Sequence, residues 1–499
     1  MSSVPKNRIR ALNRIPSTSV GEFVLYWMTA CRRTTWNFAL DRSIEWAREL
    51  KKPIVILEAL RCDYPWASER FHRFVLDGMA EKVRQLGANR YAIFYYPYAE
   101  TAAGKGKGLI RALSEFASVI VTDDYPAFFF PHMMESAAQQ VRCRLEAVDS
   151  NGLLPLRAVD KAFPTAFSFR RFLQKNLAPH LAQQPRKSSL ARLELPRLKT
   201  LPGAIIERWR PIPAKDLTSG SFLSRIPVRH DIKAVEQRSG EKAAETALRK
   251  FLSRGLRQYL ELRNQPEAEA TSELSPYLHF GYISPHQIFH ELSQQENWSE
   301  AKLAVRANGS REGWWGVSPA AEAFLDQVVT WRELGLNFST HRDDDTQYSS
   351  LPDWAKRTLA KHARDEREHI YSFDEFGAAR THDPLWNAAQ RQLIAEGRIH
   401  TYLRMLWGKK ILEWTRKPQD ALEIMIELNN RYALDGRDPN SYSGIFWCLG
   451  RYDRPWGPER PIFGSVRYMS SENTARKFRL GAYLEKYEPQ KSLRRAVNN

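Results

Sequence analysis

Short apolar runs and stretches of helical period alternate along the first third of the chain. Residues 23–27, 53–57, 91–95, 119–122 and 145–148 are brief and predominantly apolar, as strands buried on both faces are. Between them, residues 36–50, 68–86 and 109–116 repeat apolar side chains every three to four positions, the spacing of an amphipathic helix. Such alternation predicts a Rossmann-like α/β domain over 21–150, with a parallel sheet covered by helices.

The texture then changes twice. Residues 151–235 are rich in proline and basic side chains, including Pro185-Arg186-Lys187 and Pro211-Ile212-Pro213, and read as a long interdomain linker with short helices. From 236 to 488 the helical period dominates, in 241–261, 320–338, 354–362, 384–396, 401–414 and 418–430, which predicts an all-α domain. Pro418 stands where a first-turn proline is tolerated and so separates the last two helices. A basic arm over 1–20, expected to be disordered, and a basic tail over 489–499 flank these domains.

Charge narrows the partners. Lys and Arg outnumber Asp and Glu by 75 to 57, a net charge of +18, which favours a polyanion without choosing between nucleic acid and an anionic surface. Membrane insertion is not expected, because the apolar runs fall far short of the ~20 residues that span a bilayer. Cys31, Cys62, Cys143 and Cys448 are scattered, which argues against a zinc ribbon or disulfide framework and fits a reducing compartment. His290-Glu291, His362 and His369 make no H-E-x-x-H pattern, so no metal is expected. With no hydrophobic signal core at the start, the expected location is cytoplasmic and nucleoid-associated, or nuclear in a eukaryote.

Four constellations carry candidate chemistry, each beside a plainer reading. Gly104-Lys105-Gly106-Lys107-Gly108 lacks the spacing of a phosphate-cradling loop and reads as a flexible loop. The run from Thr271 to Gly281 places hydroxyls ahead of a helix, where they can hold phosphate oxygens or simply cap the helix. Trp407 and Trp414 lie seven apart on one predicted helix, hence on one face about 10.5 Å apart. With Trp386 they form either a core stripe or a path for single electrons. Arg404 and Asp435 can pair there, in a pocket or at the surface. Residues 442–479 interleave Trp447 and Trp456 with basic side chains such as Arg454 and Arg467, a pattern of extruded-base sites and also of a solvated basic face.

Read together, these segments fall into an ordered set: Leu274-Ser-Pro-Tyr-Leu-His-Phe-Gly281, Arg367-Glu-His-Ile-Tyr371, Asp383-Pro-Leu-Trp-Asn387, Lys409-Lys-Ile-Leu-Glu-Trp414, Leu428-Asn-Asn430, Asp435-Gly-Arg-Asp-Pro439 and Phe463-Gly-Ser-Val-Arg-Tyr-Met469. The set resembles the class II cyclobutane pyrimidine dimer photolyases, block for block and in the same order. Tyr26-Trp27-Met28 and Trp36-Asn37 extend the resemblance into the sheet domain.

The resemblance implies a photolyase/cryptochrome fold, with an α/β antenna domain and a helical domain holding non-covalent FAD. Thr271, Ser272, Leu274 and Ser275 would hold the FAD phosphates, with Tyr259 nearby. Asn429 would face flavin N5, and Arg404 and Asp435 would form the charge pair beside the ring. Trp407, Trp386 and Trp414 would be the photoreduction chain, with Trp407 nearest the flavin. Met405, Trp331 and Trp447 would touch the lesion, while Asp453, Arg454, Trp456 and Arg467 would support the DNA around it. The implied activity is light-driven repair of pyrimidine dimers in damaged DNA by a monomeric enzyme, with a deazaflavin or folate as a second, antenna chromophore.

The chain departs from the family pattern at three places. Asp326 and Gln327 stand where the family has two acidic residues, and the second acid is expected to hydrogen-bond the dimer. Gln can still donate to a thymine carbonyl but carries no labile proton. The spacing is one residue shorter before Trp456 and one longer after it. Cys31-Arg32-Arg33 replaces a polar sequence near the first strand. Gln327 keeps open a cryptochrome-like flavin photoreceptor without repair, and a flavin-free nucleic-acid-binding protein is the alternative from another class.

Overall fold

The six strands of the sheet are β1 Ile9–Ala11, β2 Phe23–Met28, β3 Ile54–Leu60, β4 Ile93–Ala99, β5 Ala117–Asp123 and β6 Arg144–Val148. They lie in the order β1-β6-β5-β2-β3-β4, with β2 to β6 all parallel. In this computed structural model, residues 3–87, 91–191, 193–268 and 270–489 are described. Every residue of β2 and β5 is buried, so the sheet has no wet face and its strands need no polar alternation. Alternate side chains of each strand enter two separate apolar layers. Val24, Tyr26, Ile54 and Ile56 pack with Phe38, Leu40 and Ile44 of the Phe38–Leu50 helix. Phe23, Leu25, Val55 and Leu57 pack with Leu109, Leu113 and Ala137 on the other side.

The start of the chain corrects an expectation. Within the arm read as disordered, Lys6–Arg8 forms a turn and β1 pairs antiparallel with β6, Ile9 facing Val148. The Arg8 guanidinium is buried against Asp149 Oδ2 at 3.3 Å and donates to Leu153 O at 2.7 Å. A basic run reads as solvated, but one guanidinium with a carboxylate and a carbonyl to satisfy it can be interior. The basic tail over 490–499 lies outside the described residues.

The chain divides into two compact units, Met1–Arg257 with Ser272–Asp345 and Arg437–Asn440, and Gln258–Thr271 with Thr346–Gly436 and Ser441–Asn499. This division differs from the 235/236 boundary read in the sequence, because the Glu241–Lys250, Pro285–Gln295 and Pro319–Leu325 helices belong to the sheet-bearing unit. Two single π-helical turns, Phe251–Gly255 and Asp326–Trp331, interrupt helices there, and the rings of Phe251 and Phe324 meet at 4.5 Å.

In the second unit the Pro384–Glu396, Thr401–Glu413 and Pro418–Tyr432 helices surround Trp386, Trp407, Leu403, Ile411, Leu422 and Met425. Asp383 caps the first of these by accepting the Trp386 N–H at 2.9 Å, and Gly397 ends it in the left-handed conformation at φ 68°. Gly408 permits close packing, since a Cβ there would stand 2.6 Å from Cys448 Sγ. No helix among the described residues is long and apolar enough to cross a membrane.

Candidate functional site

Three indoles run through the core of the second unit. Trp407 and Trp386 have ring centroids 6.4 Å apart and planes at 4°, and Trp414 meets Trp386 edge-on at 6.0 Å. Their exposures of 2%, 1% and 3% shut out water. Each inner N–H is satisfied locally: Trp386 Nε1 donates to Trp407 O at 3.0 Å, and Trp407 Nε1 to Gln390 Oε1 at 2.9 Å. The seven-residue spacing does put Trp407 and Trp414 on related positions, but Trp386 from the neighbouring helix links them. The contact order is therefore Trp407, Trp386, Trp414. Indole gives up and regains single electrons reversibly, so a water-free row at these distances can carry charge inward.

The same unit builds a polar site from two helices and the loop after them. Arg404 binds Asp435 through both terminal nitrogens, at 3.1 and 3.3 Å, a forked pairing that fixes orientation as well as charge. Both residues are mostly buried. Asn429, 2% exposed, donates to Ser441 Oγ at 2.9 Å and to Asn430 Oδ1 at 3.3 Å. With both amide hydrogens used, its Oδ1 is the remaining polar atom of the side chain and can only accept. Tyr259 is buried with the Arg263 guanidinium 5.5 Å over its ring.

Around residue 271 the structure bears on the capping reading of the hydroxyl run. The helix is Ser275–His279, its N-cap is Leu274, and no side chain caps it. Thr271 and Ser272 are half-buried and Ser275 is exposed, while Leu274 is buried at 1%. Among the described residues this helix start therefore carries no side-chain cap.

Gln327 and Trp331, both half-buried, sit on the π turn of the sheet-bearing unit. Their neighbour Asp326 is buried and paired with Arg170 at 2.8 Å, while Gln327 beside it makes no such ion pair among the described residues. Such widened turns recur at functional segments.

A third group lies on the second unit. Arg467 stacks its guanidinium 5.5 Å from the Trp447 ring and 5.0 Å from that of Trp456, which Arg454 flanks at 5.1 Å. Asp453 holds Trp456 in place by accepting its Nε1–H at 3.1 Å. Trp456, 37% exposed, shows a broad apolar face to solvent. Beneath Trp447 lies Lys409, wholly buried, donating to Cys448 O at 2.7 Å and 5.1 Å from the Trp447 ring. Burial pushes its ammonium down to about 8. Met405 is half-buried on the same helix as Lys409.

The sheet-bearing unit contains a cavity of about 440 Å³ at the carboxyl ends of β2, β3 and β4, lined by Trp27, Leu57, Tyr98 and Phe129 among others. β2 lies between β5 and β3, where the strand order switches direction, and open parallel sheets form their crevices at such points. The glycine-rich loop runs through hydrogen-bonded turns, Gly104 and Gly108 taking φ of 74° and 89°. Its Gly106 N–H is accepted by the buried Glu100 carboxylate at 2.7 Å. A carboxylate thus stands where a phosphate cradle would need its anion, and the loop forms cavity wall. Of Cys31-Arg32-Arg33, Arg32 lines this cavity, while Arg33 is buried and donates to Gly281 O at 3.1 Å.

Sequence reasoning missed Tyr371 and His382, which meet the outer face of Trp414 at 5.6 and 5.0 Å. Tyr371 ends one of the family-like blocks, but nothing in linear spacing brings it to Trp414.

No protein-family model matches the chain. It is similar to a deoxyribodipyrimidine photo-lyase of Methanothermobacter thermautotrophicus, 34% identical over 483 residues that cover 96% of this chain and 97% of that protein. A deoxyribodipyrimidine photo-lyase of Arabidopsis thaliana is 31% identical over 498 residues, covering 97% and 92% respectively. Among solved structures, a bacterial class III photolyase from Agrobacterium tumefaciens matches with a TM-score of 0.67 at 16% identity, over 94% of this chain and 86% of that one. This last likeness speaks to the fold.

Proposed function

The chain belongs to the deoxyribodipyrimidine photo-lyase family, and from that premise we propose that it uses blue light to split cyclobutane pyrimidine dimers in DNA, as a class II enzyme. The observation that carries this reading is the water-free row Trp407, Trp386, Trp414 in the unit that also holds Arg404, Asp435 and Asn429. The class rests on the seven ordered sequence blocks.

A flavin is the cofactor that family membership implies, and the residues present suit it. The forked Arg404–Asp435 pair offers charge to a polar ring, the Asn429 amide oxygen accepts from a ring N–H, and the uncapped hydroxyls of Thr271, Ser272 and Ser275 can serve phosphates. When bound, reduced FAD supplies a photoexcited electron that opens the cyclobutane ring and is then recovered. The chain's part is to position, to exclude water and to hold charge. Trp447, Met405 and Trp331 would pack on the extruded lesion, and Gln327 would donate to a pyrimidine carbonyl. Arg454 and Arg467 would hold phosphates, with Trp456 and Asp453 supporting the opened duplex. Phosphate contacts carry no sequence information, which suits repair anywhere in a genome. The rim-aromatic cavity of the sheet-bearing unit would take the antenna chromophore, of deazaflavin or folate type.

A photoreceptor that binds flavin without repairing is the second reading, favoured by the amide at Gln327. A flavin-free nucleic-acid-binding protein is excluded if the purified protein shows a flavin absorbance band. The deciding experiment is repair of thymine dimers by reduced protein, under blue light and in darkness. Light-dependent loss of dimers supports the proposal, and flavin-loaded protein that leaves them intact refutes it.

A further inference from the structure

Trp414, the outermost of the three indoles, does not reach solvent, being only 3% exposed. An electron deficit arriving there needs another way out. The Lys410 ammonium lies 5.3 Å from the Trp414 ring centroid, and a cation over an indole opposes positive charge on it. Glu413 pairs with Lys410 at 2.8 Å and keeps it charged, holding its pKa above the usual lysine value although burial acts against this.

Tyr371 is placed to relieve that deficit. Its ring meets Trp414 edge-on at 5.6 Å, and its backbone N–H donates to Trp414 O at 3.2 Å. Oxidised tyrosine loses its phenolic proton, so a base must be in contact. His382 Nδ1 lies 2.7 Å from Tyr371 Oη. The His382 backbone N–H also donates to that oxygen at 3.0 Å, and in the tautomer whose Nδ1 carries no hydrogen the phenol donates its own to the imidazole. His382 is solvent-exposed and stacks on His369 at a centroid distance of 3.7 Å.

We infer that Tyr371 and His382 complete the indole row as a coupled electron and proton exit, an inference that rests on the proposed photoreduction role of that row. One electron passes from Tyr371 to the Trp414 radical cation, restoring the neutral indole. The O–H bond breaks as an N–H bond forms at His382 Nδ1, leaving a neutral tyrosyl radical and an imidazolium. A small thiol from solution then returns one electron and one proton to Tyr371, and the imidazolium releases its proton to water. The charged and titratable groups facing His382 are His369, Asp383, Lys410 and Glu368. Partial desolvation, with His369 and Lys410, holds its pKa below the ordinary histidine value, a shift that favours the free base. Protonation at lower pH removes the acceptor.

The test is flash excitation of the oxidised, flavin-loaded protein without added thiol, followed by optical and electron-spin-resonance detection of amino-acid radicals. A neutral tyrosyl signal is expected in the unaltered protein, its yield falling as pH drops below the ordinary histidine range. In Tyr371→Phe that signal should be lost and a tryptophan radical should decay by return transfer. In His382→Gln, which keeps an acceptor that cannot take a proton, the tyrosyl yield should fall and its pH dependence vanish. A radical confined to tryptophan in the unaltered protein overturns the inference, as does a tyrosyl signal surviving in Tyr371→Phe. Tyrosyl formation without dimer repair would leave this exit standing and remove the repair reading, and repair without a tyrosyl signal would do the reverse.

Discussion

Trp386 touches Trp407 on one side and Trp414 on the other, at 6.4 and 6.0 Å, and no ring contact joins those two directly among the described residues. Replacing it with Phe removes the readily oxidised ring while filling most of the space. Trp386→Phe should slow light-driven reduction of the bound oxidised flavin by about tenfold or more, which takes only about 1.4 kcal/mol of added barrier. Chemical reduction beforehand should restore repair, and unchanged photoreduction would remove Trp386 from the path. Gln327 is the other residue with a directed outcome. Gln327→Glu should raise dimer repair yield roughly fivefold if a stronger hydrogen bond to the lesion contributes about 1 kcal/mol, and an equal yield would show that the amide costs nothing. Two pairings proposed from the sequence are met in the structure, Arg404 with Asp435 and Trp386 with Trp407, because both sets of residue types announce what they can pair with. The contact order Trp407, Trp386, Trp414 came only from the resemblance, since spacing along one helix says nothing about which neighbour inserts between two side chains. Tyr371 and His382 escaped for the same reason.

The helices that hold these residues depend on their ends. Asp383 accepts the Trp386 N–H through one oxygen and the Ser471 hydroxyl through the other, so one carboxylate caps the helix and ties it to a distant segment. Asp383→Ala should lower the urea unfolding midpoint by an amount equivalent to about 1–2 kcal/mol, and an unmoved midpoint would show that the cap is redundant. The long elements were readable in advance: five apolar runs became parallel strands, and the 384–396 pattern matches the Pro384–Glu396 helix residue for residue. Strands buried on both faces must be apolar throughout, and a helix carrying a core stripe must keep its period. Short elements leave no such trace. β1 is three residues long amid basic side chains, and Ser471–Lys477 and Gly481–Lys486 span too few turns to establish a period. The Phe251–Gly255 π turn hides inside a continuous apolar pattern, because one extra residue per turn barely disturbs it.

For the whole molecule, a net charge of +18 favours a polyanion, and the proposed binding to DNA should weaken steeply with salt, since each phosphate contact releases condensed counterions. Arg454 and Arg467 flank exposed Trp456, so removing both in Arg454→Ala/Arg467→Ala should flatten the plot of log affinity against log salt by about two. An unchanged slope would place the DNA elsewhere on the surface. The sheet-bearing unit offers the aromatic cavity and the second unit the indole row, each complete within its own residues. Light-driven dimer splitting by this chain has a direct readout. Thymine dimers in duplex DNA are incubated with reduced, flavin-loaded protein, and the pyrimidines restored under blue light and in darkness are counted. Restoration that requires light is the predicted result, and intact dimers after illumination of fully reduced protein would contradict the account.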